Sequence, residues 1–147
     1  MRNTHFAVAT HILLYLAIRK HDALPPVSSS TLARSVNTHD TFIRQVLGGL
    51  TEVGWVASRA GRGGGYQLVV DPNSLDLRRV HDVVVGQPAI ARHNTQPDIG
   101  CPVGQNIFSI LDTLWEDMAA QLSKATVGSL SQWLIQQRDG TAVRSAC

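Results

Sequence analysis

The sequence predicts a mainly α-helical fold with one small β-hairpin, followed by a long helix. Three observations predict it. Apolar residues recur at three- and four-residue spacing through most of the 147 residues. Two short β-type runs, WVAS at 55–58 and YQLVV at 66–70, flank a glycine-rich stretch within SRAGRGGGYQL at 58–68. Prolines stand where helices should stop or start: Pro25 and Pro26 early in the chain, Pro102 before its longest apolar pattern.

Each element has its own justification. Residues 4–21 carry apolar side chains at 6, 8, 9, 12, 13, 14, 16, 17 and 18. A helix of that kind is apolar on most sides and needs cover all round. Pro25 and Pro26 end it. Ser28, Ser29 and Ser30 then offer a cap to a short helix, with Leu32, Ala33 and Val36 turned inward. NTHD at 37–40 is a turn in which Thr38 or Asp40 can cap the next helix. Phe42, Ile43, Val46, Leu47, Leu50 and Val53 mark that helix as amphipathic, and Gly54 suits the position after its end. Gly48 and Gly49 weaken it by roughly 1 kcal/mol each relative to alanine, which predicts close approach of another backbone. After the hairpin, a helix should turn Leu77, Val80, Val83 and Val84 inward. A polar loop over 87–100 and a long helix from Cys101 follow. A short helix at 129–138 and a flexible tail over 139–147 close the chain.

The glycine stretch decides what the order means. A phosphate-cradling loop sits between a strand and a helix and ends in G-K-[ST]. Here the last glycine is followed by Tyr66 and a strand. A flexible linker would not lead directly into an apolar strand. A hairpin remains, and helix, helix, turn, helix, two strands is a winged helix-turn-helix over residues 1–86. Residues 1–70 hold seven Lys or Arg against three Asp or Glu, a balance of +4, while residues 71–147 hold six against eight. A basic front half suits a polyanion. Only 16 % of residues are charged and 44 % are hydrophobic, so some apolar surface is expected to be buried against a partner. No apolar run is long enough to span a bilayer, and MRNTHFAVAT lacks the features of a signal peptide, so a soluble cytoplasmic protein is expected. No catalytic constellation stands out, and Asp112, Glu116 and Asp117 look like a solvated helix face, so the chain is not expected to be an enzyme.

The strings SSSTLARSV, FIRQVLGGLTEVGWVASRAGRGGGYQL and LDLRRVHDVV resemble the Rrf2 family of bacterial transcription regulators. The resemblance runs from about residue 4 to residue 135. Its most specific part is the wing, S-x-x-G-x-G-G-G-Y-x-L, directly after L-x-x-x-G-W-V. It implies a homodimer whose long helices, within 101–138, pack on each other and which binds palindromic DNA operators; a repressor is expected. The chain departs from the family in two ways. Ala60 stands where members carry an arginine before the first wing glycine, and Cys101 is alone where cluster-binding members have three cysteines. A three-cysteine iron–sulfur cluster is therefore not supported, and no cofactor or metal is expected. SVNT, SRAG and CPVG are most similar to the family's YwnA-like branch.

The resemblance places His39, Thr41, Arg44 and Gln45 at the start of the recognition helix, with Phe42 and Ile43 in the core. Arg44 suits guanine and Gln45 suits adenine. Arg59 and Arg62 suit phosphates or a narrow minor groove, with Gly63 and Gly64 allowing the backbone to lie close to DNA. Ser29 is a candidate phosphate contact, and Tyr66 is either another or a half-buried strand residue. The competing reading of all these is an ordinary solvated surface, or a winged-helix adaptor that binds protein.

On the long helix, Ile107, Leu111, Leu114, Met118 and Leu122 form one stripe, with Phe108, Trp115 and Ala119 beside it. The stripe and Trp115 are the candidate dimer interface. A bundle core within one chain would give the same periodicity. Cys101 precedes Pro102, which suits it to the N-cap, where unpaired N–H groups favour a reactive thiolate. It is the candidate oxidant sensor, with Cys147 a possible resolving partner. The rivals are an inert thiol, a small-molecule effector, and a metal held with His93 or Asp98, a spacing that matches no strong motif.

Overall fold

The computed structural model describes residues 2–86, 90 and 96–145. Helices α1 (Arg2–His21), α2 (Ser29–Val36) and α3 (Asp40–Glu52) precede strands β1 (Val56–Arg59) and β2 (Gly65–Leu68). A 3-10 turn, Pro72–Ser74, leads to α4 (Leu77–Val84), and α5 (Pro102–Leu122) and α6 (Val127–Ser145) complete the chain. Among the described residues no helix is long and apolar enough to cross a membrane.

Helix α1 is the axis of the molecule. Val8, Ala9, Ile12, Leu13, Leu16 and Ala17 are buried on it, and α2, α3, α4, β2 and α6 all pack against it. It ends as its sequence requires. Ala23 takes a left-handed conformation (φ 53°), the Leu24 N–H returns to the Arg19 carbonyl at 2.9 Å, and the Arg19 guanidinium donates to the Pro25 carbonyl.

Helix α2 starts at Ser28, whose Oγ accepts the Thr31 N–H at 3.2 Å, and it stops at Asn37 in the left-handed region (φ 60°). Helix α3 buries Ile43, Val46, Leu47 and Leu50 and half-buries Phe42 against the same core. Its N-cap is His39, not Thr38 or Asp40, and no side chain caps it. Gly54 sits just past the end with φ 75°. The close backbone approach expected at Gly48 and Gly49 is absent: a Cβ added at either would meet nothing within 4 Å.

Strands β1 and β2 pair antiparallel, from Val56 opposite Leu68 to Arg59 opposite Gly65. Val27 extends the sheet. Its N–H donates to the Tyr66 carbonyl at 3.0 Å and its carbonyl accepts the Tyr66 N–H at 2.8 Å. This doubled bond ties the root of the wing to the chain before α2. It also explains Gly65, which has φ 138° and where a Cβ would lie 2.5 Å from the Val27 carbonyl oxygen.

Asp76 caps α4 by accepting the Arg79 N–H at 3.0 Å. Its inward residues are Val80 and His81, with Val84 partly buried against the core, whereas Val83, expected inside, is exposed. The helix is only eight residues long. It is pinned between α1 and α3 on one side and α5 on the other, so its buried edge is Val80–His81 and Val83 is turned away.

Helix α6 departs most from expectation. Thr126 and Ser129 exchange side chain-to-backbone hydrogen bonds at its start (3.0 and 3.1 Å), and the helix continues to Ser145. A loose tail was expected from 139. Gly140 alone does not stop a helix, and Arg138 anchors this one to α1, its Nη1 2.6 Å from Asp22 Oδ2. The guanidinium, with His21 beside it, holds the Asp22 carboxyl at about 2. Helix α6 therefore packs on α1 and on the 3-10 turn rather than extending the long-helix unit.

Gly65→Ala should destabilise the fold by about 2 kcal/mol or more, from backbone strain and the clash with Val27. Gly48→Ala, at an exposed helical site with open space around it, should instead stabilise by ~1 kcal/mol. Urea denaturation of the two variants checks both signs.

Candidate nucleic-acid interface

Burial of one face of α3 leaves the other to solvent. His39, Thr41, Arg44, Gln45 and Gly48 are exposed along it. The N-terminal half of α3 thus presents a polar set of exposed side chains beside the wing, since α3 and β1 are in contact.

The wing tip is a defined turn. The Gly64 N–H donates to the Gly61 carbonyl at 3.0 Å, and Gly61 and Gly63 have φ of 84° and 75°. A Cβ on Gly64 would run into the Arg59 carbonyl. Gly64 is thus needed for the turn itself, whereas Gly63 is exposed at its tip.

The cations of the front half are used unequally. Arg19 and Lys20 spend their donors on the carbonyls of Pro25 and Val70. Arg34 donates to Thr31. Arg44 is paired with Asp40. Arg59 and Arg62, both exposed, have no carboxylate partner among the described residues. The wing thus carries two arginines whose charge no carboxylate among the described residues offsets.

Two predicted contacts move inward. Ser29 is buried, and its Oγ accepts from Arg44 Nε at 3.3 Å, so it supports a side chain of α3 and is not placed to reach a phosphate. Ser28 is the cap and Ser30 is exposed. Tyr66 is partly buried against the core with both backbone groups committed to Val27. One residue of this surface, read from the sequence only as a candidate cap, has a different contact. Asp40, four residues before Arg44, forms the ion pair that positions it, and the acid-to-arginine spacing of four was its readable signal.

On α5, Val103, Ile110, Leu114 and Met118 are exposed, and Ile107, Leu111 and Leu122 are partly buried. Trp115, grouped with the interface by its spacing, faces inward. Its ring lies 4.6 Å from that of His81, and it is buried together with Ala119. Val103 and Ile110 extend the exposed stripe in its place. An Arg78–Glu116 ion pair at 3.2 Å flanks the inward contact. Next to it a cavity of about 560 Å3 opens between Phe6, His81, Trp115, Met118 and Leu122. His81 Nδ1 and Trp115 Nε1 are buried with no hydrogen-bond partner among the described residues, although Asp82 Oδ1 lies 3.6 Å from His81 Nδ1.

Cys101 is the N-cap of α5, with Pro102 following. Its side chain makes no full cap hydrogen bond. The N–H groups of Gly104 and Val103 nevertheless lie near enough to pull the thiol below its ordinary value. Asp98 is engaged in the turn before it, accepting the Gly100 N–H at 2.8 Å. His93 and Cys147 lie outside the described residues.

Comparison with known proteins completes the picture. Residues 2–131 match the Rrf2 family, described as iron-dependent transcriptional regulators. YwnA of Bacillus subtilis, an HTH-type transcriptional regulator by name, is 32 % identical over 118 residues, which is 80 % of this chain and 84 % of YwnA. Among solved structures, CymR of Staphylococcus aureus is similar with a TM-score of 0.68 at 21 % identity, covering 87 % of this chain and 95 % of CymR. A transcriptional regulator of Lactobacillus plantarum is similar with a TM-score of 0.67 at 24 % identity, covering 95 % of this chain and 99 % of its own. The iron in the family description does not fit a cluster on three thiolates of one subunit here, because the chain has two cysteines in all. With a winged-helix fold, a wing of unpaired arginines and a family match over most of its length, the chain belongs to the Rrf2 family and is a DNA-binding transcriptional regulator.

Proposed function

We propose that the protein is a homodimeric repressor that reads palindromic operators with α3 and grips the flanking backbone with the wing. The observation that carries this reading is the pairing of an exposed polar N-terminal turn on α3 with unpaired Arg59 and Arg62 on the adjacent hairpin. In this reading Arg44 and Gln45 contact base edges, His39 and Thr41 contact bases or phosphates at the helix start, and Arg59 and Arg62 neutralise phosphates. The exposed stripe of α5, Val103, Ile110, Leu114 and Met118, supports dimerisation, since so much apolar surface on one helix calls for cover. Two copies joined there must set their α3 helices about 34–36 Å apart to match half-sites one turn of DNA apart. A dimer seated on a promoter represses by occupying it.

Leu114→Arg should convert the dimer to a monomer in light scattering at micromolar concentration, with the helical content unchanged. A parent protein that is itself monomeric there would remove the dimer from the reading.

Arg44→Ala should cost about 1–3 kcal/mol on the preferred operator and relax preference at one base pair. Removal of Arg59 or Arg62 should weaken all sequences alike and reduce the salt slope by ~1 per phosphate contact. Fluorescence anisotropy on operator variants at several salt concentrations separates the two patterns.

The regulatory signal we propose is oxidation of Cys101. The lowered thiol at the start of α5 supports it. A thiol whose pKa is depressed keeps its thiolate to lower pH, so alkylation by iodoacetamide should stay fast below the pH at which an ordinary cysteine slows. Peroxide would transfer one oxygen to the thiolate, giving the sulfenic acid and releasing hydroxide. An oxidised residue at the N-cap would disturb the start of α5 and so the spacing of the two α3 helices. Peroxide should lower operator affinity of the parent and leave Cys101→Ser unaffected. Equal loss in both would favour a second reading, a small-molecule effector in the cavity beside His81 and Trp115, whose supporting observation is the buried Trp115 Nε1 with no hydrogen-bond partner among the described residues.

A further inference from the structure

We infer that Asp40 is a positioning residue for base recognition: with Ser29 it holds the Arg44 guanidinium in a fixed plane, so that specificity depends on a side chain that need not touch a base. The inference rests on α3 being the reading helix.

The geometry has two restraints from two different helices. Asp40 Oδ2, on the first turn of α3, lies 2.7 Å from Arg44 Nη2. Ser29 Oγ, on α2, accepts from Arg44 Nε at 3.3 Å. Ser29 is itself only 8 % exposed, so its hydroxyl is a fixed point rather than a mobile one. The Arg44 side chain is nevertheless 66 % exposed. An isolated acid–arginine pair on a helix surface contributes little to stability. A guanidinium held at both Nε and Nη2 is a different object. Its plane is set before DNA arrives, and the rotamer freedom that an arginine gives up on binding is already lost.

What remains outward is the edge formed by Nη1 and the second hydrogen of Nη2, a two-pronged donor that matches the O6 and N7 acceptors of guanine. The carboxylate has a second effect. Asp40 is partly exposed at 35 % and its Oδ2 is given to Arg44, while its Oδ1 is buried with no hydrogen-bond partner among the described residues. Near DNA it is repelled by phosphates and by base acceptors. Where guanine is present, the Arg44 contact offsets that repulsion; where it is not, the repulsion stands. Asp40 therefore lowers affinity for wrong sequences while sharpening preference for the right one.

The test is selection from a randomised duplex library, with sequencing of the bound fraction, for the parent, Asp40→Ala, Asp40→Asn, Ser29→Ala and Arg44→Ala. Urea denaturation of each variant reports its fold. In Asp40→Ala and Asp40→Asn the preference for the base read by Arg44 should fall about fivefold or more, part of what a bidentate contact supplies. Affinity for the unselected pool should stay level or rise. Ser29→Ala should lose part of the same preference at the same base. Adding Asp40→Ala to Arg44→Ala should change that base no further. If the Asp40 variants bind every sequence more weakly and keep the parent's base preferences, Asp40 is only a helix-start residue and the inference fails. If Arg44→Ala itself retains all base preferences, the reading of α3 fails instead, a result distinct from the first.

Discussion

The whole arrangement follows from having to cover α1. A twenty-residue helix with six core residues buried along it cannot lie on a surface. At roughly 2 kcal/mol for each large side chain removed from water, its aliphatic column is the strongest local demand in the chain. That demand is met from all sides by α2, α3, α4, β2 and α6. The orientation of α3 is thus decided from inside. Ile43, Val46, Leu47 and Leu50 must face α1 and its neighbours, and whatever stands opposite them is turned to solvent.

The wing owes its position to the same inner logic. It is not held by side-chain packing alone, because Val27 pairs with Tyr66 through both backbone groups. The segment entering α2 and the strand leaving the wing are thereby one sheet edge. Gly65 permits that approach, and Gly61, Gly63 and Gly64 shape the tip. The glycine run that first suggested a nucleotide loop thus serves backbone geometry, and the arginines in it are left free for electrostatics.

Much of this was legible in the sequence, for identifiable reasons. The α1, α2 and α3 patterns are strongly periodic and bounded by Pro25, the serines and Gly54, so their order and inward faces could be read directly. The family resemblance through the wing is dense in glycine, where backbone demands leave little choice. Spacing alone did not distinguish two neighbours on one helix face, so Trp115 was grouped with the outward stripe although its ring packs on His81. The burial of His81 was likewise invisible, since a histidine in a short helix carries no periodic signal. The extent of α6 depended on a tertiary contact, Arg138 with Asp22, between residues 116 positions apart. Ser29 and Asp40 both contact Arg44, and only the three-dimensional proximity of α2 and α3 makes the Ser29 contact apparent.

The slender attachment of α5 has a mechanical consequence. The helix spans twenty-one residues, roughly 31 Å at its ordinary rise, yet only Trp115 and Ala119 on it are buried, both in its second half. It is a rod clamped off-centre. From Trp115 back to Pro102 the arm is about 20 Å long, with Ile107, Phe108 and Leu111 only partly buried along it. A tilt of about 5° at the clamp would swing its tip by about 1.7 Å, with little repacking of the core around α1, because that core includes no residue of α5. The layout separates the stiff part of the molecule from its adjustable part. A small disturbance at either end of the rod is thereby converted into a displacement on the scale of a hydrogen bond.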